Sequence, residues 1–303
     1  NVYEEWPRFY EDSLKVEVPE VRGDKLVYLG IGGSGIPGRL LEILELPFPF
    51  TLFRGYRVKG IDRNTVVVSV SNSGTTTETL IATMKAYEMG GKIIVITSGG
   101  DLMKWASEKG LPIIKIPQVL QTRFSFPYVF VPLVKILRNM GVDLRPERLL
   151  EATKASMDGA RAEAEKLVDF VSNRFPVFYA SKYLPIAERF KQEFNENAKY
   201  PAFYGEIPEI NHNEIELYSR WNNFAPVVLK SDDIIDETTI RVINPFVIEQ
   251  PFNDFLGVVA YSFLLAGLSS VMLGEKLGVK AETLFNIPKV REITRRLLLV
   301  EGN

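Results

Sequence analysis

The chain has 303 residues, 46% apolar and 24% charged, with 36 basic against 38 acidic side chains and a formal net charge of -2. At roughly 150 residues per domain this length predicts two domains, and the composition excludes disordered and collagen-like classes. Without a basic excess no nucleic acid is expected as partner, and without cysteine there are no disulfides, thiolate nucleophiles or Cys-ligated zinc.

The amino terminus, Asn1 to Tyr10, lacks the basic-then-apolar order of a secretory signal, so a cytoplasmic protein is expected. Lys25–Leu29 reads as a strand, the glycine-rich turn after it leads into a helix over 36–44, and Phe50–Arg54 is a second strand. Thr65–Val70, apolar and β-branched but for Ser69, is a third, followed by a Ser/Gly/Thr turn and a helix through 77–89. Strands at Lys92–Thr97 and Pro112–Ile116, with a helix over 101–109 between them, complete a doubly wound α/β sheet. The pattern turns polar at 141–148, which places a boundary at Pro146 and predicts an amino-terminal domain over 1–146 and a carboxy-terminal one over 147–303. Glu147–Val171 reads as a connecting helix, after which the strand-turn-helix grammar returns: strands at Phe175–Ala180, Ala225–Leu229 and Thr239–Ile243, and a helix over 184–198. The apolar run Phe255–Leu273 is borderline for a membrane span by length but is interrupted by Gly257, Gly267 and three serines, so a buried core helix and no membrane partner are expected.

Two turns carry the chemistry. Gly30-Ile31-Gly32-Gly33-Ser34-Gly35 sits between strand and helix, where glycines let amide N–H groups approach an anion. It lacks the Gly-x-Gly-x-x-Gly spacing of dinucleotide sites, and by itself it is equally readable as a tight turn. Ser71-Asn72-Ser73-Gly74-Thr75-Thr76-Thr77-Glu78-Thr79 is more informative, because several hydroxyls and free N–H groups converge at a helix amino terminus, as a phosphomonoester requires. No lysine stands in this turn, which disfavours a nucleoside triphosphate.

Gly32-Gly33-Ser34-Gly35 followed by Ser71-x-Ser73-Gly74-x-Thr76-x-Glu78-Thr79 resembles the sugar isomerase (SIS) domain. The resemblance implies a phosphosugar held between the two turns, with Gly33, Ser34, Ser71, Ser73 and Thr76 at its phosphate. It also makes the expected architecture two doubly wound parallel-sheet SIS domains.

Binding alone does not define a reaction. Glu196 closes a helical pattern, and His212, the only histidine, follows it between Asn211 and Asn213, beyond the helix-breaking Pro201, Gly205 and Pro208. Aldose-ketose isomerisation needs a carboxylate to move a proton between adjacent carbons, an acid-base group to open the ring and a cation for the enediolate. Glu196, His212 and Arg123 fit these three demands. Phe-Asn-Glu-Asn-Ala-Lys over 194–199, followed by Pro-Glu-x-x-His-Asn over 208–213, is similar to the archaeal bifunctional phosphoglucose/phosphomannose isomerases. That resemblance implies Glu196 as general base, His212 as ring opener reaching into the partner's site of a homodimer, and Arg123 as enediolate stabiliser. The activity implied is interconversion of glucose 6-phosphate, and mannose 6-phosphate, with fructose 6-phosphate, without metal or cofactor. Aligned on Pro288, Thr294 falls where those isomerases carry a catalytic lysine, with Lys289 and Arg291 nearby, and Ile287 stands at the threonine linked to mannose phosphate. A metal-dependent isomerase would need a His/carboxylate cluster that one histidine does not provide. A non-enzymatic phosphosugar sensor and an isomerase of another sugar phosphate remain alternatives.

Overall fold

The structure, a computed structural model, describes residues 1–299. Its contacts divide the chain into two units: a first unit of Arg8–Pro146 with the segment from Thr283 onward, and a second of Asn1–Pro7 with Glu147–Glu282.

The helix α1 (Trp6–Leu14) leads into the first unit, which is built on five parallel strands: β1 (Lys25–Leu29), β2 (Phe50–Phe53), β3 (Thr65–Val70), β4 (Lys92–Thr97) and β5 (Ile113–Lys115). Their spatial order is β2-β1-β3-β4-β5. Between and after them come α2 (Ile36–Leu40), α3 (Thr77–Glu88), α4 (Gly100–Glu108) and α5 (Phe126–Asn139). All of β3 is buried, because a central parallel strand is covered on both faces and needs a continuous apolar run. On one face Val27, Leu29, Val67, Ile93 and Val95 pack against Ala82 and Ala86 of α3 and Leu102 and Ala106 of α4. On the other, α2 lies so close that a Cβ at Gly38 would fall 2.4 Å from the Tyr28 ring. The Tyr28 hydroxyl donates to the Ser34 carbonyl at 2.6 Å, tying the strand to the turn that follows it, and burial pushes its phenol well up from the ordinary value.

The second unit has four parallel strands, β6 (Phe175–Ala180), β7 (Phe203–Glu206), β8 (Phe224–Leu229) and β9 (Phe246–Ile248), in the order β7-β6-β8-β9. Its helices are α6 (Glu147–Val171), α7 (Leu184–Asn197), α8 (Ile235–Ile243) and α9 (Phe255–Lys276), while α10 (Ile287–Leu299) packs on α3 of the first unit. Among the described residues α9 is the one helix long and apolar enough to cross a membrane by composition, and 94% of its apolar window is buried inside the protein. It is a core helix, with α6 and α7 packed against it.

The structure departs from the sequence reading in three places. Thr239–Ile243 is not a strand but the second half of α8: Ile235, Ile240 and Ile243 pack on the same sheet cluster, and Asp233 accepts the Ile235 N–H at 3.0 Å at its start. The β-branched residues there mimic strand composition, and helical packing overrides that preference. The helix α6 is no mere connection, since nine of its residues, from Leu149 to Val171, are buried. The strands β7 and β9, four and three residues long, carry too little pattern to be read beforehand.

Candidate active site

In the first unit the chain runs from β1 to β2 on one side and then crosses to β3 on the other, so the carboxyl ends of β1 and β3 flank a topological switch point, where open α/β sheets bind ligands. The two motif turns lie there. The Asn72 N–H donates to Ser34 Oγ at 3.3 Å, joining the glycine turn to the serine turn. Ser71 Oγ accepts the Gly74 N–H at 3.1 Å and donates to Thr76 Oγ1 at 3.2 Å, while Ser73 Oγ accepts the Thr75 N–H at 3.3 Å. Thr76 caps α3 without a side-chain bond, so the first amides of a twelve-residue helix point toward these hydroxyls. Gly74 takes φ +68°, and a Cβ there would lie 1.7 Å from Gly99 O, so only glycine lets the turn nest against the end of β4. Ser98 supports it from below, donating both its N–H (2.9 Å) and its Oγ (2.6 Å) to the Asn72 carbonyl.

Arg123 lies in a 3-10 turn, Thr122–Ser125, just before α5. A Cβ at Gly33 would be 3.1 Å from the Arg123 backbone N, so the bare Gly33 backbone lets this turn close on the β1 turn. Arg123 is buried, and its guanidinium sits 4.7 Å from the Phe124 ring centroid. Gly33, Ser34, Ser71, Ser73, Thr76 and the Arg123 turn are thus gathered at one edge of one sheet.

Glu196 and His212 belong to the second unit. Glu196 is half-buried, one residue from the end of α7, and its carbonyl accepts from Lys199 Nζ at 2.8 Å. The next residue, Asn197, is fully buried and donates to Glu193 Oε2 at 2.6 Å, Ser270 Oγ at 2.8 Å and the Tyr3 hydroxyl at 3.1 Å. Glu193 also pairs with Arg189 and accepts from the Tyr3 hydroxyl. This network fixes the last turn of α7 and was not visible in the sequence, because its partners are up to 194 positions apart.

His212 ends the 3-10 turn Glu209–His212 and is exposed. The flanking asparagines are loop scaffolding. Asn211 donates to Thr238 Oγ1 at 3.0 Å and accepts from Thr239 Oγ1 at 2.8 Å, while Asn213 donates to Glu209 Oε1 at 2.8 Å and caps the next turn through the Glu214 N–H at 2.6 Å. Behind the loop the Tyr179 hydroxyl donates to Glu214 at 2.5 Å and meets Tyr218 at 2.8 Å, and burial, with the neighbouring carboxylate, holds both phenols protonated well above their ordinary range. Since α7 runs back from the carboxyl end of β6, Glu196 lies toward the amino edge of the sheet, whereas His212 follows the carboxyl end of β7. The second unit therefore does not bring its own Glu196 and His212 together. Among the described residues no group of three or more His, Asp or Glu side chains could hold a metal ion.

Residues 160–293 match the family model of the bacterial phospho-glucose isomerase C-terminal SIS domain. The chain is 49% identical to a D-glucosamine-6-phosphate 4-epimerase of Sulfolobus acidocaldarius over 99% of both chains. It is 35% identical to a bifunctional phosphoglucose/phosphomannose isomerase of Caldicellulosiruptor bescii, over 71% of this chain and 69% of that one. A solved structure of a hypothetical protein from Thermus thermophilus superposes with a TM-score of 0.75 at 18% identity, covering 98% of this chain and 87% of that chain, which shows the shared fold. With one relative 49% identical over 99% of its length and another 35% identical over 71% of it, on a frame of parallel sheets whose switch point carries the serine turns, the chain belongs to the SIS family of phosphosugar isomerases.

Proposed function

We propose that this chain is a sugar 6-phosphate epimerase whose substrate is D-glucosamine 6-phosphate and whose product is its C4 epimer. The observation that carries this reading is the 49% identity extending over 99% of the Sulfolobus acidocaldarius epimerase. Thr294, half-buried on α10 where the resemblance puts the lysine of the bifunctional isomerases, with Lys289 and Arg291 nearby, supports the same choice.

In this reading the 6-phosphate replaces the hydroxyl-to-hydroxyl bonds of Ser71, Ser73 and Thr76 by charge-assisted ones, about twice as strong as neutral bonds, with Gly33 and Ser34 beside it. Arg123 stabilises negative charge developing on the sugar. His212, from the partner chain of a homodimer, opens the ring, and Glu196 moves a proton from C2 to C1, converting the 2-amino aldehyde into a C2 imine. With C=N at C2, the O4 proton passes to the imine nitrogen as the C3–C4 bond breaks. Its electron pair becomes the C2=C3 bond of an enamine, and C4 becomes an aldehyde. Re-addition of C3 to the other face of that aldehyde, and return of the proton from C1 to C2, gives the C4 epimer with every atom conserved. The homodimer is supported by the opposite placement of Glu196 and His212 in the second unit.

A second reading stops after the first proton transfer: glucose 6-phosphate and mannose 6-phosphate interconvert with fructose 6-phosphate through one enediol. It is favoured by the 35% identity to the bifunctional isomerase and by the resemblance of residues 194–199 and 208–213 to that group's motifs. Incubation with glucosamine 6-phosphate, glucose 6-phosphate and mannose 6-phosphate, each separately in D2O, separates the readings. Formation of galactosamine 6-phosphate with deuterium at C2 is expected, fructose 6-phosphate from the neutral sugars alone selects the second reading, and no turnover of any substrate rejects both.

A further inference from the structure

The second unit repeats the strand order of the first, with its own switch point between β6 and β8. Ladder bonds align the two: the Ser71 N–H donates to Ile96 O of β4 at 3.2 Å, and the Lys230 N–H donates to Ile248 O of β9 at 3.1 Å. Lys230 therefore corresponds to Ser71, and Ser231 to Asn72. In the first unit the second amide after the strand, that of Asn72, donates to Ser34 Oγ at 3.3 Å. In the second unit the corresponding amide, that of Ser231, donates at 2.8 Å to a carboxylate, Asp236 Oδ2. The same carboxylate accepts from Ser231 Oγ at 2.7 Å and from Ser181 Oγ, immediately after β6, at 2.6 Å. Asp236 is 0% exposed and sits in the first turn of α8, as an oxyanion would sit at the head of α3. The rim is also unlike a phosphate site, since its lysines are already matched: Lys182 pairs with Asp232 at 2.9 Å, and Lys230 with Glu237 at 3.1 Å and Glu249 at 3.3 Å.

We propose that Asp236 is a built-in anion occupying, in the second sheet, the place that the sugar phosphate takes in the first, so that each chain holds one phosphosugar and its second switch point is closed from within. The proposal rests on the Ser71 turn being the phosphate seat of the first unit. An ordinary buried cap would need only one or two donors from its own helix start. Here a carboxylate gathers hydroxyls from the ends of two strands, beside a hollow of about 310 Å³ that Ser231 and Lys182 also line.

Removing the carboxylate should leave an oxyanion seat. The test uses the full chain in a Ser71→Ala background, so that phosphate binding at the first turn is weakened, with and without Asp236→Ala. At tenfold over its Kd, inorganic phosphate, compared with chloride of equal ionic strength, is expected to raise the Tm of the double variant by about 3 °C or more beyond the rise it gives Ser71→Ala alone. If the double variant folds only when refolded in phosphate, that also supports the proposal. No phosphate-specific gain, rescue by formate but not phosphate, or failure to fold in either medium overturns it. A phosphate response in Ser71→Ala as large as in the wild type would instead overturn the reading of the Ser71 turn.

Discussion

Gly74→Ala tests the phosphate turn by its geometry rather than by removing a donor. The backbone there has φ +68°, which costs a non-glycine residue about 1–2 kcal/mol. The new Cβ would stand 1.7 Å from Gly99 O and must withdraw to at least 3.0 Å, so the turn has to move by about 1.3 Å. The opposing strand end has little room to yield, because a Cβ at Gly100 would in turn lie 2.4 Å from Ser73 O, and the Leu102 N–H donates to Gly74 O at 2.9 Å. A misplacement of about 1 Å costs on the order of 10²-fold where positioning matters. Turnover of D-glucosamine 6-phosphate, followed by separating the C4 epimers, should show kcat/KM reduced about 100-fold, mostly through KM, because the phosphate is gripped before and during reaction. Tm should fall by about 4 °C. Gly60→Ala is the control: it has the same sign of φ, +69°, but nothing within 4 Å of the new Cβ, so it should lower Tm and leave KM alone. If Gly74→Ala loses stability yet keeps its KM, the turn is not an anion seat.

Glu196→Gln should lower kcat on the order of 10²-fold or more with KM largely kept, and abolish deuterium incorporation at C2; incorporation at the wild-type rate would remove Glu196 as the base. Glu193→Ala removes the buried carboxylate that pairs with the 1% exposed Arg189 and accepts from Asn197 and Tyr3, and should cost about 3–5 kcal/mol, read as a fall in the urea midpoint at unchanged m-value. The acid limb of stability should carry the signature of Asp62, whose carboxyl is held down to about 2 by the Lys25 ammonium first and then by the Asn64 N–H. A folded pKa below the unfolded value of about 3.9 contributes stability above about pH 4 that is lost as pH falls from about 4 to 2, so Asp62→Asn should flatten the profile in that window and lower stability from about pH 4 up to neutrality.

The first unit was legible because its strands and turns announce themselves locally. Thr65–Val70 has no polar interruption except Ser69, whose hydroxyl is matched by Thr83 at 2.6 Å, and the glycines that shape the serine turn are contiguous with the hydroxyls they position. The second unit was less so. Thr238, Thr239, Ile240, Val242 and Ile243 suit a strand by side-chain type, and only the Asp233 carboxylate accepting the Ile235 N–H and the packing of three isoleucines make them a helix. The support of Glu196 lay out of reach for a different reason: Tyr3, Asn197 and Ser270 meet only in the fold, and each is an unremarkable polar residue in its own segment. Asp236 was hidden beside Asp232, Asp233 and Glu237, and its role shows only when the two sheets are aligned strand by strand.

The opposite placement of Glu196 and His212 makes a prediction that needs no structure of an assembly. In a C2 dimer each site is built by the same operation, so a histidine that serves the partner's carboxylate does so twice. Glu196→Gln and His212→Gln should each be nearly inactive alone. If the two are mixed, dissociated and reassociated at random, about half of the dimers contain one chain of each kind. In such a dimer one site carries both substitutions, while the other pairs an intact Glu196 with an intact His212 donated across the interface. About one quarter of wild-type activity should therefore return. If Glu196 and His212 of the same chain work together, every site in every dimer has lost one group and mixing restores nothing. Return of activity with wild-type KM would assign the histidine to the partner, whereas a persistently dead mixture, shown to have exchanged chains, would confine each site to one chain.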